Sequence, residues 1–306
     1  MIRWPEDKSF AFTIYDDPDA QSKEDSRRVY EFLAELGFRT TKGVWPLGHS
    51  REPNSGGETC ATASYLRHCQ ELQQAGFEMG FHNATCHSAT RTETIDSLDR
   101  FREYFGHDPS TMANHYNAEA IYWGPARLTG KWRSLYNALT FGKNVDRHFG
   151  ERDGHPMFWG DICRQRIRYC RNFAYVDINT LRRCPYMPYV DPLRPFVRAW
   201  YASTEGANRD SFVRAVSEAN QDRLEREGGA CVMYTHFGHG FVHEGKLDPK
   251  FVDLMRRMSR KNGWFVPAAT LLDHLATQQG ITELDPARRN ELESRWLWEK
   301  LFRGTS

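Results

Sequence analysis

Residues 9–20, SFAFTIYDDPDA, alternate apolar and small positions and then run into acids and a proline. Side chains along a strand point alternately to its two faces, so Phe10, Phe12 and Ile14 predict one packed face, with Asp16 and Asp17 where the chain leaves the sheet. Asp17 and Asp19 on either side of Pro18 equally suit an ordinary turn. Apolar positions at helical spacing follow at Val29, Phe32, Leu33 and Leu36, closed by Gly37. A second unit has TTKGVWPL as strand, a Gly/Asn/Ser-rich loop over 52–58, and TASYLRHCQELQQAG as helix. FEMGFH is then a short strand. The next helix opens on a capping box, Thr90 with Glu93, and turns Ile95, Leu98, Phe101 and Phe105 inward.

Residues 116–171 break this rhythm with tryptophans, tyrosines and arginines and predict no definite elements. Regularity returns with NFAYVDINT and PFVRAWYAST as strands, one helix over 209–229, and ACVMYT as strand. A helix over 248–263, the strand WFVPA and the helix TLLDHLATQQG follow. Alternating strands and helices imply parallel strands joined by crossover helices. Six or seven such units predict an α/β fold, a distorted (β/α) barrel of about seven parallel strands. From Pro286 onward, Leu292, Trp296, Leu297 and Leu301 predict a terminal helix packed outside it. The expected organisation is therefore a catalytic domain over 1–285, interrupted by a basic aromatic insertion at about 116–171, and a helix over 286–306.

Bulk properties narrow the function classes. A net charge of +1 over 306 residues gives no reason to expect nucleic acid as partner. No apolar run approaches the roughly 18 residues of a membrane helix, and no charged start leads into an apolar core, so the expected location is the cytoplasm. Seven cysteines, an odd number with no CxxC pair, argue against a disulfide framework and a structural zinc site.

In α/β barrels the chemistry gathers at the C-terminal ends of the strands. Three predicted strands end in polar clusters: Asp16 and Asp17, then His82 to His87 in FHNATCHS, then His236 and His239 in YTHFGHG. Carboxylates and imidazoles at one rim are what a divalent metal requires. These residues also carry a resemblance. TIYDDPD resembles the TFDDG motif of the polysaccharide deacetylase family, also called the NodB-homology or carbohydrate esterase 4 family. GFEMGFHNATCH resembles its GHEIGNHTxxH motif, and GGACVMYTHF its late strand ending in histidine.

That resemblance spans about 9–115 and 172–279 and implies a NodB-homology barrel that hydrolyses the amide of an N-acylated amino sugar or glycan precursor. It implies Asp16 as general base, Asp17, His82 and His87 as ligands of one divalent metal, and His236 as the acid that protonates the leaving amine. Zinc comes first among the metals, with cobalt, nickel, manganese or iron as alternatives. His82 and His87 are five apart where the family has four, Pro18 replaces a glycine, and the family's arginine motif is absent. In its place TMANHYN offers Asn114 and His115 as candidates for substrate binding or the metal's surroundings; His239 is a further candidate. Ten Lys or Arg against four Asp or Glu from Arg127 to Arg171 suit an anionic small-molecule or glycan substrate or a solvated face. Two alternatives stay open: a hydrolase of a small non-sugar amide, and a carbohydrate-binding homologue without chemistry. The oligomeric state has no signal in the sequence.

Overall fold

The computed structural model describes residues 2–304. Seven parallel strands form a closed ring: β1 (Phe10–Asp16), β2 (Thr41–Val44), β3 (Glu78–Phe81), β4 (Thr111–Met112), β5 (Tyr169–Tyr175), β6 (Ala199–Glu205) and β7 (Ala230–Thr235). Each strand pairs with the next, and β7 returns to β1 along Ala11–Asp16. This is the expected (β/α) barrel of seven parallel strands. The strand Gly263–Phe265 lies along the first half of β1, which β2 joins only at Tyr15. The helices are α1 (Lys23–Glu35), α2 (Ala63–Gln74), α3 (Arg91–Phe105), α4 (Gly130–Leu139), α5 (Gly160–Arg166), α6 (Thr180–Arg183), α7 (Arg209–Ala215), α8 (Glu218–Glu227), α9 (Pro249–Ser259), α10 (Ala268–Gln279) and α11 (Pro286–Arg303). Among the described residues no helix is long and apolar enough to cross a membrane.

Local chemistry sets the helix starts. Ser22 accepts the amide of Asp25 at 3.1 Å, Thr90 and Glu93 close their capping box, and Asp248 accepts the amide of Phe251 ahead of Pro249. The single helix predicted over 209–229 is two helices, α7 and α8. The Asn220 amide donates to the carbonyls of Arg214 and Ala215 and the Gln221 amide to that of Val216, capping the first helix before the second begins.

β1 divides its side chains as the alternation requires. Phe12 packs against Phe38 and Phe10 against Phe265, on the helix-facing side. Tyr15 points to the barrel interior, against Tyr201, and donates to the carbonyl of Phe81. β5 covers 169–175 instead of the predicted 172–180, and its register against β6 shifts between Arg171 and Ala174. Such a bulge re-aims side chains, and here Arg171, Asn172 and Ala174 line one cavity while Phe173 packs on Trp296.

The segment 116–171 holds α4 and α5 and a 3-10 turn over Gly124–Arg127. α11 ties it to the barrel. Trp296 stacks on Tyr136 of α4, and the buried Glu293 accepts the Thr129 amide and the Arg194 guanidinium, each at 2.9 Å. Leu292, Trp296 and Leu297 are buried as expected, whereas Leu301 is exposed.

Interior packing predicts a sensitive glycine. A Cβ on Gly80 would meet the Tyr15 ring at 2.8 Å, so Gly80→Ala should cost about 1–3 kcal/mol by overpacking, as read from urea unfolding. The pH dependence of stability follows from His68, buried between α1 and α2 with its Nε2 3.0 Å from the Ser26 hydroxyl. Burial, helped by Lys42, pushes its imidazole down to about 4. The unfolded chain, with an ordinary histidine near 6.5, then binds the extra proton over that interval. Stability should fall as pH drops from about 6.5 to about 4, and His68→Gln should flatten that slope.

Candidate metal centre

The upper ends of five strands supply one buried cluster. Asp17 and Asp19 follow β1, His82 follows β3, Asn114 and His115 follow β4, Arg171 and Asn172 belong to β5, and His236 follows β7. All of them line a cavity of about 110 Å³, roofed by Tyr116, Trp123 and Arg127 from the 116–171 segment.

Its centre is Asp19. Each carboxylate oxygen faces one imidazole: Oδ1 lies 3.1 Å from His115 Nε2 and Oδ2 lies 3.3 Å from His82 Nε2. Burial would raise the carboxyl's pKa, but the His115 hydrogen bond and the closeness of both imidazoles overcome it and hold Asp19 well below the usual carboxylate range. Burial pushes the His115 imidazole down, and Asp19 outweighs that to leave it raised.

The hydrogen bonds around the cluster leave its donors unsatisfied in a specific way. Asn117 Oδ1 lies 2.9 Å from His115 Nδ1 and also accepts the Asn54 amide, while Asn117 Nδ2 is surrounded by the carbonyls of Thr85 and His87 and by Glu119 Oε1. This makes Nδ1 of His115 a donor to Asn117, while Nε2 faces Asp19 Oδ1, with the Ser55 hydroxyl also at 3.1 Å; without an ion a proton bridges that imidazole–carboxylate pair, and an ion bound there would take the proton's place. Both nitrogens of His82 and Oδ2 of Asp19 are buried with no hydrogen-bond partner. The ligand atoms of Asp19, His82 and His115 lie within 4.8 Å of one another. One carboxylate and two imidazoles this close together fit a divalent ion with coordination positions left open.

Two further groups face this trio. Asp17 pairs bidentately with Arg171, at 3.1 and 2.6 Å, both almost fully buried. The pairing holds the Arg171 guanidinium above its already high value despite burial. His236 directs Nδ1 to the carbonyl of Ala207 at 2.7 Å, leaving Nε2 towards the cavity, 3.6 Å from Asp19 and 3.9 Å from Asp17.

The sequence-predicted residues thus divide. Asp17, His82, Asn114, His115 and His236 are brought together. Asp16, expected as base, lies on the other face of β1 and does not line the cavity. Its Oδ1 accepts the Phe237 amide and its Oδ2 the Tyr30 hydroxyl, the Gln21 amide and Lys42. Burial raises its pKa although Lys42 opposes this. His87, expected as ligand, has its Nε2 accepting the Ser50 amide and its Nδ1 on the carbonyl of Ser88, so both nitrogens are engaged outside the cluster. His239 stacks near His236 but does not line the cavity. Asn114 bonds the backbone of Ile121 in both directions and shapes the roof loop.

Sequence reasoning missed Asp19, Arg171, Asn172 and Asn117 as members of this site. Asp19 carried a signal, being a second acid in the same turn two positions beyond Asp17.

Comparison of the sequence with family profiles and with curated proteins finds no match. Among solved structures, a protein from Mycobacterium smegmatis with the provisional designation polysaccharide deacetylase superposes with a TM-score of 0.52 at 12% identity, over 93% of this chain and 96% of that one. A family 4 acetyl xylan esterase from Clostridium thermocellum in complex with a cobalt ion gives 0.42 at 13% identity, covering 89% and 92%. A peptidoglycan deacetylase from Bacillus subtilis gives 0.42 at 11% identity, covering 88% and 93%. The fold is that of the polysaccharide deacetylases.

The Asp16–Lys42 pair is fully buried. Removing one partner of such a pair leaves an uncompensated charge, so Lys42→Met should cost about 3–5 kcal/mol of stability. Denaturant unfolding measures this, and metal uptake by the folded fraction should be unchanged.

Proposed function

We propose that this chain is a metal-dependent hydrolase that removes an acyl group, acetyl in the first instance, from the nitrogen of an amino sugar or glycan precursor. The observation that carries the reading is the convergence of an unsatisfied carboxylate and two imidazoles with an arginine-paired carboxylate and a cavity-facing histidine, on the C-terminal ends of a polysaccharide-deacetylase barrel. In this reading Asp19, His82 and His115 hold one divalent ion, zinc first. When bound, it would polarise the acyl oxygen and draw the pKa of water towards neutrality.

The protein's own groups divide the proton transfers. Asp17, fixed by Arg171, accepts a proton from the attacking water as its oxygen adds to the acyl carbon. The carbon–nitrogen bond then breaks, and His236 delivers a proton from Nε2 to the departing nitrogen, its Nδ1 being committed to Ala207. The products are a carboxylate and an amine. Asn172 Oδ1 is buried without a partner on the cavity wall and suits an amide N–H donor on the substrate. The catalytic unit comprises 1–285 with its insertion, and 286–306 serves as its packing helix. Seven cysteines, all free and buried, favour a reducing compartment such as the cytoplasm.

Metal content and acetate release, measured on the same preparations, test the assignment. Asp19→Ala, His82→Ala and His115→Ala should lose the metal, and His87→Ala should keep it. Asp17→Asn should retain metal and lose roughly a hundredfold to ten-thousandfold in turnover, the usual worth of a positioned base. Full metal occupancy in His115→Ala with loss in His87→Ala would reverse the ligand set.

A further inference from the structure

The cavity around Asp19, about 110 Å³, falls below the roughly 300–1,000 Å³ of small-molecule sites. His82, His115 and Asp17 are each at most 5% exposed beneath Tyr116, Trp123 and Arg127. Beyond Trp123 is a second cavity of about 480 Å³, within the range of small-molecule sites, and Trp123 lines both. The wall continues where Tyr116, on the small cavity, meets the His148 ring of the larger one at 5.6 Å.

The lining of this larger chamber specifies its ligand. Asn137 Oδ1 is buried with no hydrogen-bond partner, an acceptor awaiting a donor. His148 holds the Asn117 carbonyl through Nδ1 at 2.8 Å, and burial pushes the imidazole down to about 4, so it is neutral with Nε2 as acceptor. Tyr122 and Trp123 add aromatic surface. The three arginines already serve the protein. Arg194 bonds Asp191, Glu293 and two carbonyls, Arg152 bonds Asp146 and the Val145 carbonyl, and Arg133 bonds the Pro125 carbonyl. Arg152 and Arg194 are answered by carboxylates, the exposed Arg133 bonds a carbonyl, and Glu151 shares the wall, so acceptors and aromatic faces suit a neutral, hydroxylated ring better than an anion.

We propose that this chamber is the subsite for the amine-bearing half of the substrate, and that it takes a single neutral N-acylated monosaccharide, with Trp123 parting it from the acyl cavity. Its volume, about 480 Å³, is that of a site for one small molecule such as a hexosamine. This rests on the hydrolase reading above.

The test uses zinc-loaded protein with vinyl acetate, N-acetylglucosamine, its 6-phosphate and its β-1,4 tetramer. The neutral monosaccharide should exceed the phosphate and the tetramer at least tenfold in kcat/KM. Val145→Trp, which narrows the chamber at its exposed edge, should raise KM for N-acetylglucosamine tenfold or more, and Asn137→Ala several-fold. Both should leave metal content, melting temperature and vinyl acetate hydrolysis unchanged. If wild-type protein holds metal and hydrolyses vinyl acetate but ignores N-acetylglucosamine, turns over the tetramer or phosphate equally well, or keeps its KM in both variants, the chamber assignment is overturned. Absence of both metal uptake and vinyl acetate hydrolysis would instead overturn the hydrolase reading.

Discussion

The two-residue period of β1 governs the arrangement of the molecule's charge. Asp16 shares the helix-facing side with Phe10, Phe12 and Ile14, where Lys42 and Tyr30 meet it, while Asp17 shares the interior side with Tyr15 and meets Arg171. A slip of one residue would exchange them, placing an arginine-paired carboxylate under the helices and a lysine-paired one in the cavity. Both placements put a charge out of reach of water, where its partner must be in position. The mutual dependence of β1, β2 and β5 is therefore electrostatic as well as steric. Lys42, from the neighbouring β2, and Arg171, from the non-adjacent β5, fix its register at the end where the buried cluster gathers.

The same period explains what the sequence could and could not disclose. Strands, helices and the seven-stranded closure were legible because their apolar spacing is strong and local. The acid pair was legible as a pair, but Asp16, expected as base, is in phase with three apolar residues and belongs by alternation to the packed face, and Asp17, expected as a metal ligand, is paired with Arg171 beside a trio in which Asp19 supplies the carboxylate. Asp19 was hidden by Pro18, which gives the turn a structural explanation. Arg171 was hidden because, beside Tyr169 and Cys170, it looks like part of a basic insertion, whereas the strand starts at Tyr169 and sets Arg171 opposite Tyr201 on the interior side.

His87 and His115 show why spacing alone misleads for ligands. His87 lies near His82 in sequence, yet its loop turns both its nitrogens to backbone partners. His115 is 33 positions away and arrives beside His82 because β3 and β4 are neighbours, with Phe81 opposite Met112. Its orientation then depends on Asn117, whose amide is itself held by Asn54, Glu119 and two carbonyls. Outer contacts of this kind select which imidazole nitrogen carries the proton, and so which one is left to bind an ion. Burial pushes the Glu119 carboxyl up to about 7 even though it accepts amide hydrogens from Asn83, Ala89 and Asn117. A buried acid with three donors around it braces the loops after β3 and β4 against each other.

The 116–171 segment converts an open barrel mouth into two small rooms. Its arginines, conspicuous in the sequence, are largely spent on this construction: Arg166 on Asp99 and Asp108, Arg168 on Asp273, Arg152 on Asp146, and Arg91 from the barrel side on Asp161. Charge density in a sequence therefore overstates the field that a ligand meets, because each guanidinium answered by a carboxylate or carbonyl contributes little beyond its own contact. Closure also changes the worth of the groups that remain. The charges of Asp17, Asp19 and Arg171, each at most 8% exposed, are screened far less there than they would be in an open groove. In the hydrolase reading, the roof that narrows the choice of substrate is the same structure that strengthens the chemistry beneath it.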